Sequence, residues 1–384
     1  MTASAITQAG ERDRLAVKLT QIDWTFCLFI TGIAVAGAMI LYSIAGESWT
    51  PWAARHLILF GVCFALMIAL AVVDLRIWYA LAYPIYGVGL ALLAAVALIG
   101  HSSLGAQRWL DIGPIRLQPS EMIKVGLVLA LARFYHGLSA AKAQFSWWLL
   151  IPAAMIGVPA AIVAHQPDLG TAILIAASGG LIMILAGLSL RVVGAGALAV
   201  AAVVPPMFMF VLKGYQKARL LTFLDPEADR SGSGYHIIQS KIALGSGGLL
   251  GKGFGLGTQS QLNFLPEKST DFIFSSMAEE FGFVGCAVIL LLYAAVIFMA
   301  LRMASIAHSH FGRLAAAGVT ATFALCVMIN GAMVMGLAPV VGVPMPLLSY
   351  GGTVMITMMI GFALVLSVRV HRYSEVTRGG GSIL

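Results

Sequence analysis

The chain has 384 residues, of which 60% are apolar and only 10% charged, with a net charge of +7. An ordinary soluble domain carries about 25% charged residues, so this composition excludes a soluble enzyme, a nucleic-acid-binding module and a disordered protein. Most of the surface must face lipid, and the basic surplus reads as membrane topology rather than as affinity for nucleic acid.

In chain order, residues 1–23 form a polar N-terminal tail of mixed charge, with no cleavable signal peptide. Ten mostly apolar runs follow, at 24–45, 54–73, 77–99, 120–136, 147–164, 171–188, 192–212, 272–301, 314–337 and 346–368. A span needs about 20 such residues. Backbone polar groups in lipid must be satisfied internally, so each run is expected to be a helix. The fourth and sixth are short and are expected to be tilted or partly buried in protein. The prediction is an all-α polytopic fold: one ten-helix membrane domain over 24–369 and a C-terminal tail over 370–384. Arg12, Arg14, Lys18, Arg76, Arg133, Lys142, Arg191, Arg302, Arg313, Arg369, Arg372 and Arg378 fall on one side, and the loops 46–53, 165–170 and 338–345 on the other carry no Lys or Arg. Both termini are therefore expected in the cytoplasm. The long segment 213–271, between the seventh and eighth runs, is expected outside. Cys27, Cys63, Cys286 and Cys326 each sit in an apolar run without metal or redox spacing and read as buried side chains.

In such a chain, ionisable residues near lipid depth are the functional candidates. Those on the outer side gather in four places. Arg108 and Asp111 precede Gln118-Pro119-Ser120-Glu121, where Ser120 reads as a helix N-cap. Glu121 and Lys124 then share one helix face, as a structural pair or as a headgroup-binding Lys held by its Glu. The S-x-x-x-K spacing is one residue too long for a serine acyl-enzyme motif. Asp168, in the turn 165–171, either caps the next helix or lines a cavity. Residues 234–244 read as a short amphipathic helix at the interface. Seven glycines between Gly245 and Gly257 fail the phosphate-loop spacing and read as a flexible hinge. Glu267, Lys268 and Asp271 bracket the start of the eighth run. There Asp271 is either a helix cap or a carboxylate able to act as a general base or hold a divalent cation. The Pro- and Gly-rich stretch from Pro339 to Gly352 reads as a broken, re-entrant segment facing protein or a water-filled cavity.

Seven strings occur in order: Ala106 to Asp111, Gln118 to Glu121, Gln166 to Thr171, Gly234 to Ser240, Leu265 to Ile273, Ala278-Glu279-Glu280, and Pro344 to Gly352 including Ser349. Together they resemble the shape, elongation, division and sporulation family of bacterial membrane glycosyltransferases, over about residues 20 to 370. The strings Gly234 to Ala243 and Gly257 to Leu262 resemble its elongation branch more than its division branch. The resemblance implies a peptidoglycan polymerase of cell elongation in the bacterial inner membrane. Its substrate would be lipid II, and undecaprenyl pyrophosphate would leave at the outer face. A class B penicillin-binding protein and other membrane proteins of the elongation complex would be its partners, with no nucleic acid. Asp271 matches the family's essential aspartate and becomes the expected base and the candidate metal ligand. Lys124, Arg108 or a divalent cation (Mg2+ or Mn2+) would offset charge on the leaving pyrophosphate, with Glu121 orienting Lys124. Asp168, Glu267, Lys268 and Ser349 complete the expected substrate site. Two rivals are a transporter or flippase of lipid-linked precursors, which needs a polar path across the whole membrane, and a non-catalytic scaffold for the penicillin-binding protein.

Overall fold

The computed structural model describes residues 15–99, 101–103, 106–112, 115–206, 209–210, 214–228, 232–262, 264–265 and 267–376. Arg12, Arg14 and Arg378 of the predicted tails lie outside the described residues. Each apolar run falls on a helix: α1 (Trp24–Ile44), α2 (Ala53–Ala71), α3 (Leu75–Ile99), α4 (Pro119–Gly137), a short α5 (Ala140–Gln144), α6 (Leu150–His165), α7 (Leu169–Leu185) and α8 (Leu190–Pro206). The long loop holds α9 (Gly214–Leu224), α10 (Ser233–Ser246) and α11 (Thr258–Gln261), followed by α12 (Ile273–Ser305), α13 (His310–Val334) and α14 (Gly352–Val370). Among the described residues, seven of these (α1, α2, α3, α6, α12, α13 and α14) are long and apolar enough to cross a membrane. The chain folds as a helical membrane protein. Among the described residues, the strands are those of a small antiparallel sheet, β1 (His101–Ser103), β2 (Ala106–Ile112) and β3 (Ile115–Leu117), in the loop before α4.

The short runs are the central ones. α4 packs against α3, α7, α13 and α14, and buries Glu121 and Lys124 among its apolar residues. α14 is buried along most of its length and packs on α2, α12, α13 and α4. α8 is the opposite case, with Leu190, Leu198, Val200 and Val203 all exposed.

Two expected boundaries move. α4 is capped by Gln118 with Pro119 in its first turn, so Ser120 lies inside the helix rather than capping it. Proline suits that position because its missing N–H would be unpaired anyway. The last helix begins at Gly352, not at 346. Leu347 has φ 65°, a left-handed conformation that cannot continue a helix, and residues 346–351 form a buried turn instead.

The largest departure lies in α12, which the sequence presents as one unbroken apolar helix. It breaks at Gly282, where φ is 64° and ψ is −160°. In a regular helix the Glu279 and Glu280 carbonyls would accept from the N–H groups of Phe283 and Val284. Here the glycine-rich segment takes over all four groups. Lys252 and Gly253 N–H donate to the Glu279 and Glu280 carbonyls at 2.9 and 3.0 Å. Phe283 and Val284 N–H donate to the Gly248 and Leu249 carbonyls at 2.9 and 3.1 Å. Backbone must approach backbone for this to happen. A Cβ on Gly247 would overlap the Ala278 carbonyl, and one on Gly251 the Glu280 carbonyl. The glycine run is thus a strap locked into a helix break, not the flexible hinge its composition suggests.

Candidate active site

The irregular segment 338–351 is the floor on which Asp271, Glu267, Lys268 and Ser349 assemble. Asp271 lies in the turn 267–272, closed by the N–H groups of Thr270 and Phe272 donating to the Glu267 carbonyl at 3.3 and 3.1 Å. Phe272, not Asp271 or Thr270, occupies the N-cap position of α12, with no side-chain cap bond. The capping role considered for Asp271 therefore falls away. Asn330, on α13, donates from Nδ2 to the backbone carbonyls of Asp271 and Val343, each at 2.8 Å. Ser349 Oγ donates to the Thr270 carbonyl at 2.6 Å and accepts from Met345 N–H at 2.9 Å. Tyr350 N–H donates to the Ser269 carbonyl at 2.9 Å. Asp271's backbone is held from both sides.

Beneath its carboxylate lies Gly342, whose φ of 68° favours glycine. A Cβ there would sit 3.5 Å from Asp271 Oδ2. The neighbouring Val341 presses on Gly170 at the start of α7, where a Cβ would overlap the Val341 carbonyl. One turn thereby connects Asp271 with the helix that Asp168 begins. Asp168 caps that helix, accepting from Thr171 N–H at 3.2 Å, and is buried.

Lys268 is buried, at 8% exposure, and its Nζ donates to the Ser260 carbonyl of α11 at 2.7 Å. Burial pushes its ammonium below the usual lysine range. Glu267 is exposed and accepts from Thr270 Oγ1 at 3.0 Å. Glu121 and Lys124 pair at 2.8 Å with side chains 5% and 3% exposed, and Asp168 adds negative field at Lys124. Arg108 belongs to β2, which packs on α3 and α4; its side chain lies outside the described residues.

The structure therefore joins Asp271, Glu267, Lys268 and Ser349 in one turn and its floor, and links Asp168 to them through residues 341–342. Glu121 and Lys124 form a separate buried pair on α4. α10 falls where the amphipathic pattern puts it, burying Ile237, Ser240 and Ala243, and Ser240 Oγ lies 2.8 Å from Ser275 Oγ. Asn330 escapes a reading by charge, and Glu279, which the string Ala278-Glu279-Glu280 does mark, has partners that charge alone does not reveal. Asn330 was signalled only as an amide inside the apolar run 314–337, a placement that usually has a hydrogen-bonding purpose. Glu279 is fully buried, accepting from Lys252 Nζ at 2.6 Å, Thr258 Oγ1 at 2.9 Å and Gln259 N–H at 3.1 Å.

A helical membrane fold, with a carboxylate turn seated on a broken segment, defines the class: an integral, multi-pass membrane protein. The model of the cell cycle protein family FtsW/RodA/SpoVE matches residues 18–374, and the chain belongs to that family. It is 42% identical over 351 residues to the peptidoglycan glycosyltransferase MrdB of Escherichia coli K12, covering 91% of this chain and 94% of that one. It is 38% identical over 298 residues to MrdB of Helicobacter pylori J99, covering 76% of each. Among solved structures it resembles a chain of a peptidoglycan synthase complex described as coordinating polymerization and crosslinking, with TM-score 0.79, 31% identity, and 92% and 98% of the two chains covered. The rod shape determining protein RodA of Thermus thermophilus gives TM-score 0.69 at 28% identity, with 92% and 98% covered.

Proposed function

We propose that this protein is a peptidoglycan glycosyltransferase of cell elongation that polymerises lipid II at the outer face of the inner membrane, with Asp271 as general base. The observation that carries the reading is the placement of Asp271: a carboxylate on an immobilised turn at one end of the bundle, backed by Gly342. Helix length supports the depth. Asn330, which holds Asp271, lies twenty residues after His310, and Gly282 lies twenty residues before Arg302. Each stretch is about 30 Å of helix, one hydrocarbon thickness. With the basic ends of α12 and α13 inside, the Asp271 turn and the strap both sit at the outer boundary. The full topology is ten spans with cytoplasmic termini and the segment 213–271 outside.

In the reaction, the sugar hydroxyl that attacks must lose its proton as it meets the anomeric carbon of the donor. Asp271 accepts that proton. The bond to pyrophosphate breaks, and the lipid pyrophosphate leaves with the electron pair. The donor's α linkage becomes β, so one displacement suffices and no covalent enzyme intermediate forms. Lys124 already has its countercharge in Glu121, so it meets a phosphate only by exchanging partners. Arg108 is the other candidate cation for that charge. Among the described residues, no three His, Cys, Asp or Glu side chains converge as a metal cage. Asp271 would hold a Mg2+ or Mn2+ ion that arrives on substrate phosphates. Such an ion would supply positive charge to the leaving group. The partner is a class B penicillin-binding protein that crosslinks the strands.

The test is strand synthesis from purified lipid II by wild type and Asp271→Asn, each co-purified with its penicillin-binding partner, beside the partner alone. Strands from wild type only are expected. Equal strands from both proteins would remove Asp271 as the base, and none from either would return weight to transport or scaffolding.

A further inference from the structure

The strap does more than seal a helix break. It continues into α11, and α11 holds the turn that carries Asp271. The chain of contacts starts at Glu279. This carboxylate is 0% exposed and gathers Lys252 Nζ, Thr258 Oγ1 and the Gln259 N–H around it. Lys252 Nζ also donates to Thr258 Oγ1 at 2.9 Å. The first turn of α11 is thereby fixed to the upper half of α12. Ser260, in that same turn of helix, presents its carbonyl to Lys268 Nζ at 2.7 Å. Lys268 lies three residues before Asp271, inside the turn that Glu267 closes.

We propose that Glu279 and Lys252 are positioning residues for the glycosyl transfer, setting the place of Asp271 through α11 and Lys268. The inference rests on the assignment of Asp271 as the base. Neither residue touches the reacting atoms. A displacement of about 1 Å at a catalytic group costs up to about a hundredfold in rate, and neither Glu279 nor Lys252 is among the residues expected to hold the substrate. Loss of the clamp therefore lowers turnover and leaves substrate affinity largely intact. The same physics assigns Lys268 a different task from the one its charge suggests: its ammonium is a pin between two backbone segments rather than a phosphate ligand.

The experiment compares Lys252→Met, Glu279→Gln and Lys252→Arg with wild type, each co-purified with the penicillin-binding partner, by steady-state polymerisation of lipid II. Lys252→Met and Glu279→Gln should lower kcat about ten- to a hundredfold with KM within about twofold, and Lys252→Arg, which keeps the cation, should recover most of the loss. Lys252→Met is the decisive variant, because its side chain is 29% exposed and its removal leaves Glu279 bonded to Thr258 and Gln259. An unchanged kcat, or a risen KM at constant kcat, in folded Lys252→Met overturns the proposal. Asp271→Asn run beside them separates the two ideas. If it is inactive while Lys252→Met is normal, only the positioning role falls. If it is fully active, the base assignment and the positioning role fall together.

Discussion

Gly251→Ala tests whether the strap is locked into α12. Gly251 has φ 82°, and a Cβ there would overlap the carbonyl of Glu280 and crowd the Phe281 nitrogen. The left-handed conformation alone costs a non-glycine residue about 1–2 kcal/mol. The overlap cannot be relieved by a side-chain rotation, since both neighbours are backbone, so the strap must lift. Lifting breaks at least the bonds from Lys252 and Gly253 N–H to the helix, and each buried group left unpaired costs about 1–3 kcal/mol. The expected penalty is about 3–8 kcal/mol, or at least about a hundredfold in the opening equilibrium at 1.4 kcal/mol per factor of ten. Gly248→Ala is the internal control. Its φ is 56° but a Cβ there meets nothing within 4 Å, so only the conformational cost of about 1–2 kcal/mol applies. Hydrogen exchange read by mass spectrometry in nanodiscs, over peptides covering 247–256 and 278–286, measures both. Gly251→Ala should lose protection in both peptides at once, and Gly248→Ala far less. Protection in Gly251→Ala equal to wild type would refute the interlocked strap.

Glu121→Gln should strand Lys124 as a buried cation, at a cost of about 3–5 kcal/mol; detergent-stable yield should fall, and the double variant Glu121→Gln/Lys124→Met should recover most of it, whereas a single variant as stable as wild type would contradict the burial. Gly170→Ala forces Val341 away and should reduce polymerisation far more than Gly342→Ala, which has room beside Asp271 Oδ2 and pays only for its φ of 68°; the reverse order would show that the turn is not seated as described. Ser349→Ala leaves the Thr270 carbonyl and Met345 N–H without their hydroxyl partner, at about 1–3 kcal/mol, and should lower kcat severalfold at constant KM; an unchanged kcat would separate this contact from catalysis. Removal of divalent cations with EDTA should lower polymerisation and added Mg2+ restore it, while full activity in metal-free buffer would eliminate the substrate-borne ion.

What the sequence made legible was what depends on local pattern. The apolar runs place the ten long helices of the described residues, because lipid burial needs contiguous apolar residues whatever their neighbours. The amphipathic spacing over 234–244 places α10, and the motif at Gln166 to Thr171 places the Asp168 cap. Charge at lipid depth points to Asp271 and to the Glu121–Lys124 pair. What stayed hidden is set by contacts between distant segments. Nothing around Gly282 distinguishes a break from an ordinary helical glycine, since the groups that stabilise the break belong to residues 248–253. The glycines of that strap read as a hinge because composition records freedom, not the partner that removes it. Leu347 and Leu348 look helical for the opposite reason: they are apolar and buried, but as part of a turn.

The broken helix also fixes an order of assembly during synthesis. The strap leaves the ribosome before α12, so its amide and carbonyl groups have no partner on α12 until residues 279–284 arrive. The stretch from Phe283 to Ser305 is long enough, at about 34 Å, to enter the membrane as a span without help from the strap. The upper half, from Ile273 to Phe281, has no such independence: its last carbonyls find partners only when the waiting strap closes on them. Entry of the lower span thus needs none of the strap's bonds, whereas the upper half and the Asp271 turn before it are complete only once strap and helix meet.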